Sequence, residues 1–95
     1  HELQAVERDF AFIVEDKVSA ENLVRAASSA DKKLISNVAV FDVFTGGNLD
    51  MHQMSVGLTV TLQPTEATLT DAEIEAVSDK IVANVAKHTG GILRG

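Results

Sequence analysis

The stretch MSVGLTVTLQ, residues 54–63, decides the architecture, because its alternation divides cleanly in two. Val56, Leu58, Val60 and Leu62 share one phase, and Ser55, Gly57, Thr59 and Thr61 share the other. Successive side chains of a strand point to opposite faces, so this segment has one oily face and one small, weakly polar face. Such a strand belongs in an antiparallel sheet that is covered on one side only. Pro64 cannot donate to a sheet ladder and ends the strand.

The same division recurs upstream. RDFAFIVE, residues 8–15, reads as a strand with Phe10, Phe12 and Val14 toward a core and Asp9, Ala11 and Ile13 away from it. Residues 35–45 form a second strand, rich in Val38, Val40, Phe41, Val43 and Phe44, but its parity is broken. Val38 and Val40 share a phase with Asp42 and Phe44, whereas Phe41 and Val43 take the other. A bulge near Phe41 restores the phase and sends Asp42 and Phe44 to the face away from the core. Without a bulge, Phe44 packs under the helices. Phe10, Phe12 and Phe41 are assigned to the core. Gly46-Gly47-Asn48 then makes a turn.

Two segments carry helical spacing. In SAENLVRAASSADKK, residues 19–33, Ser19 is the N-cap, Glu21 sits in the first turn, and Leu23, Ala26, Ala27 and Ala30 form a stripe. Lys32 and Lys33 suit the negative end of that helix. In TLTDAEIEAVSDKIVANVAKH, Thr70 and Glu73 make a capping box, and Ile74, Val77, Ile81 and Val85 recur at helical spacing. Gly90-Gly91 stops this helix, and Ile92-Leu93-Arg94 is a short last strand. The order strand, helix, strand, strand, helix, strand predicts an α+β fold, the ferredoxin-like βαββαβ sandwich. Right-handed crossovers put both helices on one face of the four-stranded antiparallel sheet. The other face stays open.

Ninety-five residues suffice for one domain, and 45% hydrophobic content supports a packed core. The opening His1-Glu2-Leu3 reads as part of a longer protein, with His1 a candidate tag remnant. No cysteine is present, which excludes disulfides and thiolate-bound zinc and fits a reducing compartment. No apolar run approaches the roughly 20 residues that span a bilayer. Fourteen acidic and eight basic residues give a net charge of −6, which argues against a binder that grips nucleic acid by its phosphates alone. A reader that touches a few bases is still compatible with that charge.

Catalytic and metal chemistry find little support. His52 and His88 lie far apart in sequence with no cysteine beside them, so no metal site is expected. The carboxylates at 71, 73, 75 and 79 read as the solvated side of the second helix. Neither glycine pair stands at a strand-to-helix junction with Lys-Ser/Thr, so neither is a phosphate loop. No Ser-His-Asp or Cys-His arrangement is present. What stands out is the open face, where small groups surround one aromatic ring. RNA-recognition modules stack bases on such sheets.

ERDFAFIV (7–14), ADKKLISNVAVFDVFTGG (30–47), SVGLTVTLQP (55–64), TLTDAEIEAV (68–77) and the closing LRG (93–95) together resemble one family. It is the ferredoxin-fold anticodon-binding domain found at the C-terminus of the bacterial phenylalanyl-tRNA synthetase β subunit. The resemblance spans nearly the whole chain and implies a single domain, residues 1–95, excised from a longer chain. It implies that the domain binds the anticodon stem-loop of phenylalanine tRNA and is itself non-catalytic. The parent would be the cytoplasmic phenylalanine–tRNA ligase, an α2β2 heterotetramer whose α subunit activates phenylalanine with ATP and magnesium. No cofactor is implied for the domain itself.

The same resemblance implies five RNA-binding residues. Phe44 matches a ring that stacks on an anticodon base, where relatives commonly carry Tyr. Ser55 would hydrogen-bond a base edge, and Ala11 would lie against a base. Asp9 would accept from a guanine amino edge, and Arg8 would reach phosphate or pair with Asp9 or Asp42. The loop NLDMHQM, residues 48–54, lacks the lysines usual in relatives, so weak affinity is expected of the isolated domain. The alternative readings are a ferredoxin-like small-molecule-sensing module and a subunit-docking module without RNA contact. The first lacks a Gly-rich helix start at VSAEN, and the second lacks an extended apolar open face.

Overall fold

The computed structural model describes residues 3–47 and 49–94. The expectations placed on His1, on Asn48 of the turn and on Gly95 fall outside the described residues. Strand β1 runs Val6–Glu15, helix α1 Ala20–Ser28, β2 Ile35–Phe44, β3 Gln53–Leu62, α2 Asp71–Thr89 and β4 Ile92–Leu93. The strands form one antiparallel sheet in the order β2-β3-β1-β4. This is the predicted ferredoxin-like α+β architecture.

Parity places the core. Phe10, Phe12 and Val14 of β1 and Val56, Leu58, Val60 and Leu62 of β3 are buried together with Leu23, Ala26 and Ala27 of α1 and Ile74, Val77, Ile81 and Val85 of α2. Both helices therefore seat their apolar stripes on the same side of the sheet. Burying each large side chain contributes roughly 1.5–3 kcal/mol. The alanines of α1 let that helix approach closely, and Asn84 of α2 donates from Nδ2 to the Ala26 carbonyl at 2.7 Å, tying the helices together.

The helix boundaries follow from local chemistry. Ser19 Oγ accepts from Asn22 N–H, and the Thr70–Glu73 box is complete in both directions. At its C-terminus α2 passes into Gly90, at φ +76°, the left-handed conformation that glycine adopts without steric cost. Helix α1 is shorter than expected. Asp31 Oδ1 accepts from the N–H groups of Lys33 and Leu34, which draws the chain into a turn soon after Ser29. Lys32 and Lys33 consequently lie beyond the helix and do not complete its last turn. Arg25 occupies that position.

Strand β2 carries two irregularities in its pairing with β3. The register shifts between Ile35 and Asn37 and again between Val40 and Asp42. The second is the bulge expected near Phe41. It sets Asp42 opposite Gly57 and Phe44 opposite Ser55, on the side away from the helices. The assignment of Phe41 to the core is overturned. Phe41 is 58% exposed, and its ring lies over Gly57. A bulge leaves one residue outside the ladder pairing, and here that residue is turned onto the open face. Strand β4 also ends one residue early, at Leu93, although the Arg94 N–H still donates to the Ala11 carbonyl at 2.6 Å.

Candidate nucleic-acid interface

Each strand contributes to the open face by alternation. From β1 come Asp9, Ala11 and Ile13, from β3 Ser55, Gly57 and Thr59, and from β2 Asp42 and Phe44. Strand β4 adds Ile92 across from Ile13. Arg94, two residues beyond Ile92 and bonded to Ala11, falls in the same phase.

This face is not bare. Ser55 is only 4% exposed and Gly57 is buried, although neither faces the helices. Two side chains cover them. The Phe41 ring occupies the space above Gly57, where a Cβ would lie 2.7 Å from the ring's Cζ. The Arg94 side chain reaches from the β4 edge across β1. Its Nη1 donates to Ser55 Oγ at 3.3 Å, and its guanidinium carbon stands 5.9 Å from the centroid of the Phe44 ring. A cation at that distance over an exposed ring is worth about 0.5–1 kcal/mol.

The residues singled out from sequence are therefore distributed unevenly. Phe44, Ser55 and Ala11 lie together beneath or beside Arg94. Asp9 stands farther along the same face and accepts from Thr59 Oγ1 at 2.8 Å, so the position proposed as a base acceptor is already engaged by a neighbour. Arg8 lies apart from this group. It shares the phase of Phe10 and pairs with Val60, on the side of the sheet that the helices occupy. Its Nη1 donates to the Glu7 carbonyl, and among the described residues it pairs with neither Asp9 nor Asp42. Strand alternation separates Arg8 from Asp9, which adjacency in sequence had joined.

Two participants were not assigned from sequence. Arg94 sits in the LRG motif, but its reach to Ser55 and Phe44 depends on β4 flanking β1. Phe41 was hidden by the parity break that the bulge creates. Among the described residues no group of three or more His, Cys, Asp and Glu lies together. His52 stands instead beside Asp16, with Nδ1 3.6 Å from its Oδ2 at an exposed corner. Among the described residues no helix is long and apolar enough to cross a membrane.

Chemically, the face offers rings for stacking, a buried hydroxyl that still has a proton to donate, and one guanidinium that reaches both Ser55 and the Phe44 ring. Comparison with known proteins finds likenesses that span nearly the whole chain. The model of the ferredoxin-fold anticodon binding domain family matches residues 2–94. The phenylalanine–tRNA ligase beta subunit of Ruegeria pomeroyi is 61% identical over 94 residues, covering 99% of this chain and 12% of that protein. That of Mesorhizobium japonicum is 54% identical over 92 residues, covering 97% of this chain and 12% of that protein. That of Rhodopseudomonas palustris is 59% identical over 90 residues, covering 95% of this chain and 11% of that protein. The chain thus spans 12% or less of the length of these relatives.

Proposed function

The chain belongs to the ferredoxin-fold anticodon binding domain family, and from that premise we propose that its open face holds the anticodon stem-loop of phenylalanine tRNA. In this reading it is the anticodon-binding module, residues 1–95, of a phenylalanine–tRNA ligase beta subunit. It supplies position and recognition only. Amino-acid activation with ATP and magnesium takes place in the α subunit of a cytoplasmic α2β2 synthetase.

The observation that carries the reading is the grouping of Phe44, Ser55 and Arg94 on one small patch. An unpaired base lying on Phe44 gains about 1–3 kcal/mol from stacking. The same base places its edge within reach of the Ser55 hydroxyl. Ala11, flat and half-buried, leaves room for a neighbouring base where a larger side chain would block it. To admit a base onto Phe44, Arg94 rises from the ring and exchanges its partners for the base or the adjoining phosphate. The guanidinium is suited to this exchange, because it stacks and donates in a planar fork. Phe44 has no hydroxyl, so its contribution is stacking alone.

The test is to add phenylalanine tRNA transcript to the isotopically labelled chain and follow backbone amide shifts. Changes are expected at Ala11, Phe44, Ser55 and Arg94. Changes confined to α1 and α2, or none at millimolar RNA, would defeat the proposal. In the complete synthetase, Phe44→Ala is expected to weaken tRNA binding about 5- to 150-fold while amino-acid activation is unchanged.

A further inference from the structure

Phe41 is the more exposed of the two aromatic rings on this face. A phenylalanine ordinarily buries most of its ring surface, yet this one is 58% exposed. Two features that weaken a sheet combine to put it there. One is the bulge between Val40 and Asp42, which breaks the ladder. The other is a glycine in the interior of a central strand, which costs about 0.5–1 kcal/mol relative to alanine. Only a residue without a Cβ fits beneath the ring, since three ring carbons stand 2.7–3.1 Å from where that Cβ would be. The ring is therefore seated flat against backbone on one side, with its other side toward solvent.

Phe44 also lies beside a glycine, at ordinary contact distance. Its Cε2 and Cζ lie 3.4 Å from where a Cβ on Gly47 would be. Phe41 stands over Gly57, and Phe44 is paired with Ser55, two residues along β3. At about 3.4 Å per residue, Gly57 and Ser55 stand roughly 7 Å apart along β3. Sheet modules that read single-stranded RNA use rings set side by side to stack successive bases.

We propose that Phe41, seated on Gly57, is a second stacking surface that takes the nucleobase next to the one held by Phe44. This rests on the reading of the open face as an RNA site and extends it from one base to two consecutive bases. The occupant is an unpaired nucleobase because the surface is continuous with the Phe44 patch, and because one flat aromatic face with no donor or acceptor selects a flat π-system rather than a polar edge. Asp42, set opposite Gly57 in the pairing, belongs to the same part of the face and offers an acceptor there.

The experiment uses an RNA hairpin carrying the phenylalanine anticodon loop, with 2-aminopurine placed at each loop position in turn. Stacking on a ring changes the fluorescence of this base. With the unaltered chain, two adjacent positions are expected to respond. Phe41→Leu keeps an apolar cover over Gly57 and removes the π-face. It is expected to silence one of the two positions and to weaken binding about 5- to 150-fold. Phe41→Tyr keeps the ring and should behave as the unaltered chain, which separates loss of stacking from loss of folding. If Phe41→Leu binds within about twofold and both positions still respond, Phe41 only covers the glycine and the proposal is overturned, while the Phe44 site survives. A single responding position in the unaltered chain overturns it equally. If no position responds and Phe44→Ala changes nothing, the reading of the face itself fails and this inference goes with it.

Discussion

Replacing Gly91 by alanine introduces a single methyl at the point where α2 hands over to β4. A Cβ there would lie 2.9 Å from Val14 Cγ1 on β1, 2.9 Å from Val85 Cγ1 on α2 and 3.0 Å from Thr89 Oγ1. Carbon pairs rest at about 3.5–4.0 Å, so each valine methyl must give way by about 0.6 Å or more. Neither can do so easily. Both valines are almost wholly buried, and their branched side chains hold one rotamer stiffly. Thr89 Oγ1 is fixed as well, since it accepts from Gly91 N–H at 3.0 Å and donates to the Val85 carbonyl at 2.8 Å. Overpacking of this kind costs about 1–3 kcal/mol. In a domain of this size each kcal/mol shifts the melting temperature by about 4–8 °C, so a fall of about 4–24 °C is expected by calorimetry or circular dichroism. The natural control is Gly57→Ala, whose methyl has the ring of exposed Phe41 as its nearest neighbour. That ring can swing into solvent, and alanine recovers strand stability, so melting should move by less than about 5 °C. Equal melting of Gly91→Ala and the unaltered chain, or a larger loss from Gly57→Ala, would refute this account of the two glycines.

Thr70→Ala removes the oxygen that accepts from Glu73 N–H and breaks the capping box, with an expected loss of about 0.5–2 kcal/mol in urea unfolding. A midpoint unchanged with an unchanged slope would contradict it. Arg94→Ala is expected to leave stability within about 1 kcal/mol and to weaken binding of the anticodon hairpin, which calorimetric titration would measure. Binding that is unchanged or tighter would show that the arginine only shields the ring. If Arg94 meets one phosphate, the logarithm of the binding constant falls with that of salt at a slope of about −0.7. Affinity then drops only about threefold for a fourfold rise in salt, and a slope several times steeper would sink the view that bases carry the binding.

The fold was legible wherever one physical signal dominated. The alternation in β3 named its core residues without error, and so did the helical spacing of Ile74, Val77, Ile81 and Val85. The Thr70–Glu73 box marked the start of α2. Legibility failed where two signals competed. The alanine-rich stripe of α1 pointed onward past Ser29, but the Asp31 side chain captured the backbone first. In β2 the count of residues could reveal a parity break but not which residue leaves the ladder, so Phe44 was placed on the open face while Phe41 was put in the core. The pairing of Arg8 with Asp9 took neighbours in sequence for neighbours on one face. Arg94 could not be found by any local pattern, because its partners Ser55 and Phe44 become neighbours only through the strand order β2-β3-β1-β4.

The scarcity of cations on this face has a consequence for selectivity. A double helix turns its bases inward and shows the outside world a rail of negative charge, which a chain of net charge −6 repels. A loop whose bases are splayed outward offers the flat surfaces that rings can hold. If the open face binds RNA as proposed, the acidity that at first argued against nucleic acid weakens attraction to the backbone and leaves the contacts to unpaired bases to decide which RNA is held.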